Sequence, residues 1–88
     1  MPARRVTALT LPVDVRSAVA FEAYRDRTPL LTIMTARPAL LVTLTLPERL
    51  DAGHVRFARD LAAMSARYAT EVERAWRGLP SLTAPRAS

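Results

Sequence analysis

One stretch limits the possible folds more than any other. Placed at 100° per residue, Phe57, Ala58, Leu61, Ala62, Met64, Tyr68, Ala69, Val72, Ala75, Trp76 and Leu79 fall on one side of a helix. Every charged residue from Arg56 to Arg77 falls on the other. Such a division predicts a long amphipathic helix, entered at Pro47 and Glu48 and stopped by Gly78 and Pro80. From residue 48 to 79 it would run roughly 45 Å. A three-stranded sheet with strands of about five or six residues is too small to cover that length. The portion over 68–79 must then find another apolar surface, on a second copy or on a different protein. Tyr68, Val72, Trp76 and Leu79 are the expected partner-binding residues, with Trp76 the hot spot. A chain of 88 residues also buries too small a share of its surface to be more than marginally stable alone, so a homodimer or higher homo-oligomer is expected.

Upstream of the helix the pattern changes. Residues 5–11 are rich in β-formers and end at Pro12, which predicts a first strand. Asp14 reads as the N-cap of a short helix over 15–27, where Ala18, Ala20, Glu22 and Ala23 favour helix. Thr28-Pro29 breaks it, because the residue before proline is pushed out of helical geometry. Two apolar runs follow, 30–35 and 40–46, joined by Ala36-Arg37-Pro38-Ala39. In the second run Leu40, Val42, Leu44 and Leu46 alternate with Leu41, Thr43 and Thr45, so the pair reads as an antiparallel hairpin. The expected order is strand, helix, strand, strand, long helix. This is an α+β fold with a small, mainly antiparallel three-stranded sheet packed on helices and dimerising. It is read as one domain over 1–88, comprising 5–47, the helix 48–79 and a flexible tail over 80–88.

The chemistry available to the chain is narrow. It has no cysteine, one histidine and two glycines, so thiol chemistry, a multi-histidine metal centre and a glycine-rich phosphate loop are excluded. No catalytic residue, metal or cofactor is expected, and the protein is read as a non-enzyme; a free N-terminal Pro2, the base of tautomerases, is the one enzymatic alternative. His54 reads as a satisfied structural histidine. The nearly apolar run over 28–46 carries Arg37-Pro38 at its middle, which argues against a membrane span and for a soluble, cytoplasmic protein. Thirteen arginines and no lysine face eight acids, for a net charge of +5. Arginine is suited to phosphate, so a nucleic-acid partner is compatible with this balance.

The hairpin carries a resemblance. Phd/YefM-type antitoxins have, after a short helix, a segment of the form Glu-Pro-Val-Val-Ile-Thr-Arg-His-Gly-Arg-Pro-Val-Ala-Val. Here Pro29-Leu30-Leu31-Thr32-Ile33-Met34-Thr35-Ala36-Arg37-Pro38-Ala39-Leu40-Leu41-Val42 is similar to it from proline to proline without a gap. Asp14-Val15-Arg16 resembles the family's Glu-Ala-Arg at its first helix. The resemblance implies a homodimeric antitoxin that binds operator DNA through its N-terminal part, neutralises a toxin with the chain beyond the hairpin, and represses its own operon. Arg16 is the residue that the resemblance places on DNA. Arg4, Arg5 and Arg37 join it as DNA-binding candidates from charge and turn position. Ribbon-helix-helix regulators are a more distant alternative. The competing class is an assembly or interaction protein that uses the helix stripe and binds no nucleic acid.

Overall fold

The computed structural model describes residues 6–82. They divide into two units between Glu48 and Arg49. The first unit holds three strands: β1 (Ala18–Glu22), β2 (Leu30–Ala36) and β3 (Ala39–Leu44). They form an antiparallel sheet in the order β1-β2-β3. The second unit holds one helix, α1 (Ala52–Trp76). The class is α+β, with a three-stranded antiparallel sheet as expected.

The hairpin falls where the period-two pattern put it. Ala36 pairs with Ala39 around Arg37-Pro38, whose peptide bond is cis, and the register runs back through Ile33 opposite Val42 to Leu31 opposite Leu44. Thr35, the one buried polar residue among those described, donates its hydroxyl to the Pro38 carbonyl at 2.8 Å and so ties the turn to the central strand.

Two upstream expectations are corrected. Residues 6–11 are not a strand, and the segment read as a helix over 15–27 contains β1. Its apolar side chains make no single helical stripe, but Val19 and Phe21 alternate with Ala18, Ala20 and Glu22. That alternation sets Val19 opposite Ile33 and Phe21 opposite Leu31. Pairing with a central apolar strand outweighs a modest helix propensity. The loop from β1 to β2 is short, so this pairing closes at less entropic cost than one made by residues 6–11. Asp14 caps a turn and not a helix: its carboxylate accepts the Arg16 amide at 2.8 Å, and its carbonyl accepts that of Ser17 at 3.0 Å.

The long helix starts at Ala52, later than Glu48, and its last helical residue is Trp76. Asp51 explains the start. Its Oδ1 accepts the amides of Gly53 at 2.8 Å and His54 at 3.3 Å, while His54 Nδ1 accepts the Asp51 amide at 2.9 Å. This is a capping box with histidine in the place usually held by glutamate. Because Nδ1 accepts, its 3.3 Å approach to the Asp51 carboxylate is not a charge pair in this arrangement. At the other end Gly78 takes a φ of 74°, Leu79 donates to the Arg74 carbonyl at 2.8 Å and Gly78 to that of Ala75 at 3.1 Å. These two bonds make a Schellman ending, which needs a left-handed residue at the glycine.

Candidate partner-binding surface

The strand register sorts the sheet into two unlike faces. One carries Val19 and Phe21 from β1, Leu31, Ile33 and Thr35 from β2, and Leu40, Val42 and Leu44 from β3. Apart from the Thr35 hydroxyl, which is already bonded, this face is wholly apolar. The other face is mixed, with Ala18, Ala20, Glu22, Leu30, Met34, Leu41 and a Thr32–Thr43 hydroxyl pair at 3.4 Å. A sheet patterned in this way buries its apolar face against something. Yet Val19 and Phe21 are 67% and 68% exposed, and among the described residues no apolar side chain is buried.

The helix repeats the same imbalance. No residue of α1 is buried. Of the expected partner contacts, Tyr68 is 66% and Trp76 82% exposed, with Val72 and Leu79 also open to solvent. Tyr68, Val72 and Trp76 share the apolar side of the helix, whereas Leu79 lies beyond its end, held back toward the last turn by the Schellman bonds. On the polar side Glu73 and Arg77 close an ion pair at 2.8 Å. Both groups are more than half exposed, so the pair contributes a few tenths of a kcal/mol.

Arg4 and Arg5 lie outside the described residues. Arg16 is not at a helix start but two residues before β1, in the turn that Asp14 organises. Arg37 is exposed at the tip of the β2–β3 hairpin. Because Ala18 pairs with Met34, the turn carrying Arg16 and the hairpin tip lie at one end of the sheet. The opposite end holds a feature that a helical reading of 15–27 concealed. The Arg27 guanidinium stacks over the Tyr24 ring at 4.4 Å beside an open cleft also lined by Thr28, Leu30, Leu46 and Glu48. Among these lining residues, Thr28 donates its hydroxyl to the Leu46 carbonyl at 3.2 Å.

The chain matches no protein-family model, no curated protein and no solved structure. Among the described residues no three His, Cys, Asp or Glu side chains gather as a metal site would require. No described helix is long and apolar enough to cross a membrane. What the described residues do assemble is apolar surface, on one sheet face and along one side of α1.

Proposed function

We propose that this protein is a non-enzymatic interaction module of the cytoplasm whose apolar surfaces are covered by a partner chain. The observation that carries this reading is that among the described residues no apolar side chain is buried, although one sheet face and one side of α1 are almost wholly apolar. Burial of such side chains releases about 25 cal/mol per Å², and exposed apolar patches of this extent mark interaction sites. Tyr68, Val72 and Trp76 are the contacts we assign to the helix side, with Leu79 at its end. Trp76→Ala is expected to weaken the complex by about 2 kcal/mol or more, as truncating an interface tryptophan does. Light scattering and pull-downs read the change, and a complex that keeps its affinity would return Trp76 to the status of an ordinary surface residue.

A more specific form of this reading is the antitoxin-like regulator, a dimer that also binds operator DNA and a toxin. The common placement of Arg16 and Arg37 at one end of the sheet, with a net charge of +5, favours it. Arginines so placed contact phosphates or guanine edges. If several arginines do this, affinity falls by decades between about 50 and 200 mM salt. An interaction module with no nucleic-acid partner shows no such binding to lose.

A further inference from the structure

The helix carries more information about its partner than exposure alone. Its central apolar positions are Leu61, Met64, Tyr68, Val72 and Ala75, spaced three, four, four and three residues apart. This spacing reads identically in both directions about Tyr68. The side chains are not symmetric in size: leucine and methionine precede the centre, valine and alanine follow it. A second copy running the opposite way would set large against small, Leu61 against the partner's Ala75 and Met64 against the partner's Val72. Large-to-small apposition of this kind lets side chains interdigitate without voids.

The two flanks of that seam agree. One flank carries Asp60, Arg67, Glu71 and Arg74. In an antiparallel pair each flank meets itself, so Asp60 comes within two residues, about 3 Å along the axis, of level with the partner's Arg74, and Arg67 within the same distance of the partner's Glu71. Opposite signs meet in both cases. In a parallel pair this charged flank would face the other flank, built from Ala58, Ala62, Ser65 and Ala69, which offers no opposite charge across the seam. On the small-residue flank the antiparallel arrangement brings Trp76, 82% exposed, over the partner's Ala58 and Ala62, where there is room for an indole.

We propose that α1 pairs antiparallel with α1 of a second copy about a two-fold axis at Tyr68, with Asp60 facing the partner's Arg74 and Trp76 lying over the partner's Ala58 and Ala62. The pairing rests on the interaction reading above and names its partner as the same chain. It is isologous, so it closes at two copies. Seam positions of paired helices approach closely enough for a disulfide where the same residue faces itself across the axis.

Native cysteine is absent, so single-cysteine variants of the full chain, oxidised with copper phenanthroline, test the register directly. Tyr68→Cys is expected to cross-link to itself. Leu61→Cys and Ala75→Cys are each expected to stay uncross-linked alone and to link to one another when mixed. Asp60→Arg is expected to weaken self-association about tenfold and D60R/R74D to restore it, with circular dichroism confirming a folded chain in each case. Self-linking of both the 61 and 75 variants would mean a parallel pair and overturn the proposal. A dimer unaffected by any of these changes would overturn it too, while leaving the interaction reading in place. A monomer whose Trp76 emission stays red-shifted would likewise exclude the second copy but not a different partner. A stable monomer with Trp76 in an apolar environment would overturn both.

Discussion

The sheet and the helix reach their structures by different routes. Each turn of α1 is written in residues near it: Asp51 and His54 close the start, Gly78 the end, and an apolar stripe runs between. The sheet depends on partners remote in sequence. Ala18–Glu22 becomes a strand because Leu30–Ala36 offers it an apolar edge, not because its own residues demand it. Both elements nonetheless end with an apolar surface open to solvent. Local order and a buried core are therefore separate achievements in each unit taken by itself.

Substitutions can break or sharpen that contrast. The largest effect is expected at the centre of the sheet. Ile33→Ala should cost about 2 to 5 kcal/mol in denaturant unfolding if its face is covered in the assembled protein. A loss below about 1 kcal/mol would mean that the face stays in water and that the sheet holds by backbone pairing alone. Next comes Arg16→Ala, expected to weaken operator binding by about 1 to 3 kcal/mol in a gel shift if Arg16 reads a base. Unchanged affinity in a folded variant would remove it from the DNA-binding set.

The helix should respond locally. Asp51→Ala removes the acceptor for two amides and should cost about 0.5 to 2 kcal/mol, seen as lost helical signal with the strand amides still protected from exchange. Loss of protection in both units together would show that they fold as one cooperative body. The smallest effect is expected at Glu73→Ala, about 0.5 kcal/mol or less at low salt and nothing measurable at high salt.

These two routes also explain what could be read from the residues alone. The hairpin was legible because Leu40, Val42 and Leu44 alternate with Leu41 and Thr43, and its turn is marked by Arg37-Pro38. The helix was legible from its stripe, although Glu48 resembled a helix start and drew attention from Asp51, whose histidine partner is an uncommon capping companion. β1 was hidden because alanine and glutamate favour helix and only two of its residues, Val19 and Phe21, carry the strand pattern. Reading 15–27 as a helix put Arg16 at a helix start, whereas it lies in a turn, and concealed the stacking of Arg27 on Tyr24. Tyr68, Val72 and Trp76, which are exposed, lie on the apolar side of α1 that the periodicity marked.

Sedimentation equilibrium of the full chain, followed by thermal unfolding across a hundredfold range of concentration, bears most directly on whether one copy is enough. Without any other protein present, we expect a species of twice 9.7 kDa whose melting temperature rises with concentration. A particle of 9.7 kDa that unfolds cooperatively at one temperature throughout would contradict the account.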